Sequence, residues 1–549
     1  MSETKIEQAP TDPTPESEPS AATQSPIQEI TTYDQVPYPS YPYSASHPDR
    51  LYAMARLFGL APKPPAESRV LELGCAAGGN LLPIAAQFPE SHVVGVDLSA
   101  RQIGEGQQSI EACQLKNARL LQANIAELPA DLGEFDYIVC HGVFSWVPES
   151  VQQEIFRICR QHLAPSGVCY ISYNTLPGWY MRNAIRGMML KHAGTISDPV
   201  QKLTQARALL KFLVESTENE KSPYALFLKS ETELLSKQSD QYLFHDHLEE
   251  NNHPCFFSDF MRRAGEFQLQ FLGESSLASM WMGNLPEKAS QTLSGLTQDS
   301  VLSGQYSDFI RNRTFRQTLL THREQRVDRN LTPARIADAY FRGRFVLDGD
   351  ATLNLNPGVA AVFKSPSGHT IQTSEPLFKA MLVSLSEAFP GSLPMSQIMD
   401  QCQQRLQAQL LGQGEVATAS MDRLGILLIQ MILSGALDFS YQPDRCVSSV
   451  SAAPVATAWT RYQATQGDHV TTLRHDVLRI GKLEQNLLPL IDGTRTPEQI
   501  TAATGELIQR GVLQMNSQQP LTAEQANQAL RVIVANLLKQ FAAQGLLIG

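Results

Sequence analysis

Residues 70–80 read VLELGCAAGGN, an apolar run of strand character that passes through Gly74, Gly78 and Gly79 into a segment of helical pattern. Glycines let a backbone turn tightly and approach a ligand, and the helix that follows offers free N–H groups in its first turn. Outward from this stretch the pattern repeats. RVLELG (69–74), HVVGVD (92–97), ARLLQAN (118–124), FDYIVCHG (135–142) and GVCYISYN (167–174) are short apolar runs, separated by helical segments that start near Asn80, Ser99 and Glu149. Runs of this kind alternating with helices predict a parallel sheet covered on both faces. FFSDFMRRAGEFQLQFLGES (256–275) reads as helix then strand, and RTFRQTLLTHRE (313–324) as a last, antiparallel strand. The predicted class is therefore α/β, a seven-stranded domain over 31–328 in which 179–250 is a helical insertion.

At 549 residues the chain is long for one core, and about three to four domains are expected. With 42% hydrophobic and 18% charged residues it has an ordinary globular balance, and no apolar run approaches the roughly 20 residues that span a bilayer. The N-terminal MSETKIEQAPTDPTPESEPS has no basic segment followed by an apolar stretch, so a cytoplasmic location is expected. The eight cysteines lie far apart without a CxxC pair, which argues against a disulfide framework or zinc ribbon and for free thiols. Lys plus Arg 44 against Asp plus Glu 55 leaves a net charge of −11, a poor footprint for nucleic acid. Residues 1–30, rich in Pro, Ser, Thr, Gln and Glu, read as a disordered tail. Tyr33, Tyr38, Tyr41 and Tyr43 then interleave with prolines that favour extended backbone before a helix starting near Pro48.

Behind residue 330, LLIQMILSGAL (427–437) and LLKQFAAQGLL (537–547) share the register LLxQxxxxGxL, and each follows a helix with proline near its start. Both units resemble winged-helix folds, placing a middle unit at 329–450 and a C-terminal one at 451–549. Two unrelated amphipathic helices with glycine C-caps would give the same pattern. With 16 basic and 17 acidic side chains from 331 onward, these α+β units suit protein contacts better than DNA. The sheet domain looks complete once 313–324 supplies its last strand, so the rear units are expected to select an acceptor without contributing to the cofactor pocket.

Asp97 closes the second strand 23 residues after Gly74, where a carboxylate can accept from both hydroxyls of a ribose. A nicotinamide dinucleotide site would use the same two features. Three details favour S-adenosylmethionine. Glu72, two residues before Gly74, would repel pyrophosphate but suits an amino-acid ammonium; Asn124 and Ile125 follow the third strand, where a side chain and a backbone N–H can read an adenine edge; and a dinucleotide sheet has no antiparallel last strand.

The order ELGCAAGGN, GVDLS, QANI, HGVFSWVP resembles Rossmann-like class I methyltransferases. From about Tyr33 the chain is similar to bacterial methyltransferases carrying a methyltransferase regulatory domain, a family that includes rickettsial protein-lysine methyltransferases of outer-membrane proteins. YDQVPYPSYPYSASHPDRL, HGVFSWVP, ISYNTLPGW, YLFHDHLEENNHPCFF and TTLRHDVLRIGKLEQNLLPLIDGTRT carry the likeness. It implies S-adenosylmethionine held by Tyr38, Glu72, Gly74, Cys75, Ala76, Gly78, Asn80, Asp97, Leu98, Asn124, Ile125 and His141. Ala76 replaces the usual central glycine of that loop, a change small enough for binding to survive.

Methyl transfer from a sulfonium is an in-line displacement with an activated leaving group, so the protein mainly positions and desolvates the nucleophile, and no metal is needed. If that nucleophile is a lysine amine, a base must take its proton or its pKa must fall, and aromatic walls can accommodate the cation. Candidates at strand ends are His141, Phe144, Trp146, Tyr173, Asn174 and Trp179, with His245 from the insertion. Each has a plainer reading: Trp146 and Trp179 as packing residues, His141 as a loop hydrogen-bonder, and the His245, Asp246, His247, Glu249, His253 cluster as a lid, a structural loop or a metal site whose HxH spacing lacks flanking ligands. The expected activity is methylation of a protein side chain, a lysine amine; a small-molecule acceptor and a non-catalytic cofactor-binding sensor stay open, as does homodimerisation.

Overall fold

The computed structural model describes residues 40–249, 251–297, 299–349, 353–410, 420–514 and 522–548; the tail read over 1–30, Tyr33 and Tyr38 lie outside them. Seven strands form the central sheet: β1 (Arg69–Leu73), β2 (His92–Asp97), β3 (Ala118–Gln122), β4 (Phe135–Cys140), β5 (Leu163–Asn174), β6 (Leu269–Glu274) and β7 (Phe315–His322). Their order is β3-β2-β1-β4-β5-β7-β6. The first five run parallel, whereas β7 pairs antiparallel with both β5 and β6. The antiparallel strand thus enters between its neighbours and not at the edge. Arg316 anchors it there, fully buried, with its guanidinium on Glu274 of β6 at 2.5 Å and Asp308 at 2.7 Å. Burying that cation is tolerable because two carboxylates and a backbone carbonyl accept its protons.

Local chemistry starts the helices where it was read. Ser99 accepts the N–H of Gln102 to open Ala100–Cys113, and a helix runs from Glu149 to His162. The helix expected from Asn80 instead begins at Leu82, because Gly78 still holds a positive φ of 79° and the Asn80 side chain is committed to the preceding loop. The insertion contains helices Gly178–Ala193, Pro199–Ser216, Pro223–Ser236 and Asp240–His247. The last three are capped by Asp198, Ser222 and Ser239. They enclose an apolar centre of their own built on Ile185, Met189, Leu210, Leu228 and Leu243.

In the rear, helix Met421–Ser434 ends at Gly435 (φ 79°) and runs into strand Asp438–Ser440. Helix Ala523–Ala543 likewise gives way to Gly545 (φ 72°) and Leu547, which bridges Ala456. The two LLxQxxxxGxL stretches are one device used twice: a residue without Cβ penalty turns the chain from helix to strand.

These units do not stand clear of the sheet. A continuous apolar core joins Leu51 and Met54 of helix Pro48–Leu57 and Leu319 of β7 to Phe341, Leu424, Leu428 and Trp459. Around it Arg50 pairs with Asp438 at 3.1 Å, Arg56 with Asp338 at 2.5 Å, and Ser440 donates to Asp49 at 2.9 Å. All seven strands of the sheet lie within 69–322, and the apolar core on one of its faces is shared with residues beyond 330. Among the described residues, no helix is long and apolar enough to cross a membrane.

Candidate active site

A cavity of about 600 Å3 opens at the C-terminal ends of β1 to β5, the side on which open α/β sheets bind ligands. One wall is made by the loops after β1 and β2. Gly74 turns at a φ of 75°, and Gly74 and Cys75 both donate to the carbonyl of Val96. Asp97 reaches back from the end of β2: one oxygen accepts the Ala76 N–H at 2.8 Å and the other that of Ser99 at 2.9 Å. Glu72 is buried below the loop, with one oxygen accepting from Asn80 Nδ2 at 2.7 Å and the other without a partner. Burial, opposed by the Asn80 hydrogen bond and reinforced by the Asp97 charge, pushes its carboxyl up to about 8.

Leu98, Asn124 and Ile125 continue the wall. Asn124 caps the short turn Ile125–Glu127 by accepting the Ala126 N–H at 3.0 Å. His141 also faces the cavity, stacked on Tyr43 with ring centroids 3.7 Å apart and hydrogen-bonded through Nδ1 to the Tyr170 hydroxyl at 2.8 Å. Burial lowers it to about 3, so the ring is neutral. His141 thus lines the cavity while its hydrogen bond goes to a residue of β5 and not to a neighbouring loop. Tyr41 and Tyr43 line the cavity, whereas His47 caps helix Pro48–Leu57 outside it.

At the opposite end Trp146 and Trp179 meet edge to face, with centroids 6.0 Å apart, beside Asn174, His245 and Phe315. Trp179 is fully buried as well, so it packs and lines at once. Asn174 donates to Asn252 at 3.0 Å, and His245 pairs with Glu249 at 3.3 Å. Asp246, Tyr242 and Arg182 complete this end. Burial raises the Asp246 carboxyl to about 7, against the pull of His245 and Arg182; nothing in the sequence singles it out within the cluster from His245 to His253.

Three readings need correction. Tyr173 does not reach the cavity: successive β5 side chains alternate between faces, so Tyr170 points toward His141 while Tyr173 is buried in the other layer, stacked on Phe260 at 4.0 Å. Phe144 is fully buried in that same layer. Gly78 shapes the loop without lining the cavity, since a Cβ there would meet Leu82 at 2.8 Å. Of the histidine cluster, His247 packs beside Trp179, and the backbone of His253 donates to Ser145. Among the described residues, no group of three or more His, Cys, Asp or Glu side chains is arranged to hold a metal.

Family models match three stretches of the chain: a methyltransferase domain at residues 70–167, a predicted methyltransferase regulatory domain at 239–322, and the PKMT C-terminal winged helix domain at 453–546. The structure of PKMT2 from Rickettsia typhi superposes with a TM-score of 0.83 at 32% identity, over 93% of this chain and 100% of that one. The same protein in complex with AdoHcy gives 0.82. An uncharacterized protein of Rickettsia prowazekii is 35% identical over 526 residues, covering 94% of this chain and 93% of its own length. The chain belongs to the PKMT family of S-adenosylmethionine-dependent methyltransferases. For a PKMT-family chain the position of the regulatory-domain match is informative: 239–322 contains Tyr242, His245 and Asp246 at the cavity and then β6 and β7.

A side chain that buttresses one wall of this site comes from far away in the sequence. His475, buried in the C-terminal unit of this PKMT-family chain, lies with Nε2 2.8 Å from Asn80 Oδ1. Among the described residues none beyond 330 lines the cavity itself, but this rear side chain touches Asn80, which does; the TTLRHDVLR stretch by itself says nothing of where that turn lands.

Proposed function

We propose that this methyltransferase transfers methyl groups from S-adenosylmethionine to lysine amines of a protein acceptor. The observation that carries it is the two-ended cavity, with unpartnered carboxylate capacity at one end and an aromatic box with a half-ionised carboxyl at the other. The donor fits the first end. The free oxygen of Glu72 would take its ammonium group, Asp97 its ribose hydroxyls, and Asn124 and Ile125 its adenine edge, while the two acids together disfavour a pyrophosphate. When bound, the donor supplies an electrophilic methyl group on a cationic sulfur.

Everything else falls to side chains of the chain itself. Trp146, Trp179 and Tyr242 provide faces for an alkylammonium and exclude water from it. Asp246, near 7 by burial, accepts the proton that the amine must lose before it can attack. The AdoHcy complex of PKMT2 from Rickettsia typhi supports the donor, and the PKMT winged-helix match supports a protein acceptor. The net charge of −11 supports a partner other than nucleic acid. Eight free cysteines support a reducing compartment, the cytoplasm.

Full-length protein incubated with methyl-labelled donor and a lysine-bearing polypeptide should yield methyl-lysine after hydrolysis. Label confined to small molecules, or tight donor binding without any turnover, would overturn the reading in favour of a small-molecule enzyme or a sensor respectively.

A further inference from the structure

The C-terminal unit presents a two-stranded hairpin, His469–Thr471 paired with Val477–Arg479, whose tip inserts against the loop that follows β1. Gln87 donates to the Leu473 carbonyl at 3.2 Å, and the next residue but one, His475, adopts a φ of 64° to turn its ring inward. That left-handed backbone is costly for a residue with a Cβ, so the surroundings must hold it. The ring is buried, 4.8 Å between centroids from His47, and burial next to a second imidazole keeps His475 neutral.

Hydrogen-bond arithmetic then decides the orientations. Asn80 Oδ1 accepts the backbone N–H of Tyr43 at 2.8 Å, so it is the oxygen; Asn80 Nδ2 donates to Glu72 at 2.7 Å, so it is the nitrogen. His475 must therefore carry its proton on Nε2 and donate it to Asn80 Oδ1. With its oxygen clamped from two sides, the amide cannot flip. Its nitrogen stays on one oxygen of Glu72, and the other oxygen remains buried and unpartnered.

We propose that His475 is a positioning residue of the methyl-donor site: through Asn80 it holds Glu72 aimed at the ammonium group of the bound donor, making the C-terminal unit a working part of that site. This rests on the donor assignment above. The clamp bears on the amino-acid end of the ligand, because Asn80 hands its amide to Glu72, whereas Asp97 is oriented by the N–H groups of Ala76 and Ser99 and Asn124 by that of Ala126. A merely structural bond between domains would instead affect every part of the ligand equally.

Two ligands separate these cases. S-adenosylhomocysteine carries the amino-acid ammonium, and 5′-methylthioadenosine lacks it. By calorimetric titration of the full chain, His475→Phe, which keeps ring volume and removes the donor, should weaken S-adenosylhomocysteine at least fivefold, about 1 kcal/mol. Its affinity for methylthioadenosine should stay within twofold, and His475→Gln, which returns an amide N–H, should restore most of the loss. Should the Phe variant fail to fold, His475→Ala is read in the same way. Unchanged S-adenosylhomocysteine binding, or equal weakening of both ligands, would overturn the proposal. A wild-type chain that binds neither ligand would sink the donor assignment itself.

Discussion

Asp97 holds Ala76 in a conformation that alanine rarely adopts: the residue sits at a φ of 49°, and its N–H is donated to the Asp97 carboxylate. The acid that closes β2 thus shapes the loop that closes β1, over and above its own place at the cavity.

Replacing Asp97 by alanine should therefore weaken S-adenosylhomocysteine at least tenfold with the fold intact. A charge-assisted acceptor is worth about 1.5 to 3 kcal/mol, and Ala76 loses the partner that offsets its strained backbone. Calorimetric titration reads the effect, and an unchanged dissociation constant would remove Asp97 from the site. NAD should bind neither form.

Glu72 makes donor binding a proton-coupled event. Its carboxyl, raised to about 8, is mostly protonated in the free protein at pH 7, and an ammonium placed on it favours the charged form. Binding of S-adenosylhomocysteine at pH 7 should release close to one proton, seen as binding enthalpies that differ between buffers of different ionisation heat. Affinity should rise from pH 6 toward 8. Glu72→Gln should abolish the release, and release that persists in that variant would assign it elsewhere.

Asp246 should matter for turnover and not for the donor. Asp246→Asn is expected to lower kcat by at least about 100-fold, the lower range for a general base, while S-adenosylhomocysteine affinity stays within twofold. The wild-type rate should climb as pH passes about 7, and that limb should vanish in the variant. A stability effect has the opposite sign. A carboxyl raised from 3.8 to about 7 removes folding free energy progressively as pH rises between those values, so the Asn variant should melt higher than wild type at pH 8. A variant with wild-type kcat would exclude Asp246 as the base.

Ending the chain at Asp328 should cost the soluble protein. Leu51, Met54 and Leu319 share a core with Phe341, Leu424, Leu428 and Trp459, and each large side chain uncovered forfeits about 1.5 to 3 kcal/mol. Aggregation on gel filtration and dye binding are the expected signs. A monodisperse fragment that keeps its S-adenosylhomocysteine dissociation constant within threefold would show that the front domain is self-sufficient after all.

Chelators should leave methylation intact, because sulfonium chemistry needs no Lewis acid. Loss of activity in EDTA that zinc restores would overturn this.

What could be read in advance was local. Val70–Leu73 and His92–Asp97 announced themselves as strands because both their faces are covered, and Glu72, Gly74 and Asp97 because a strand end followed by glycine or a capping serine fixes where a side chain emerges. The place of Tyr173 is not legible, because a single step along β5 decides which layer a side chain enters, and nothing local marks the register. The insertion of β7 between β5 and β6 depends on Arg316 finding Glu274 and Asp308, an arrangement visible only once those elements pack. Asn80 and His475, 395 positions apart, carry no shared pattern at all; their meeting is a product of tertiary docking.

The helices between Gly178 and His247 enclose an apolar centre separate from those of the sheet. Substitutions there can accumulate without loosening the strands that carry Glu72 and Asp97. Only the outward half of that bundle is so uncoupled: Trp179, Tyr242 and Asp246 sit on its first and last helices and line the cavity, so drift in the middle two helices leaves the cavity wall in place.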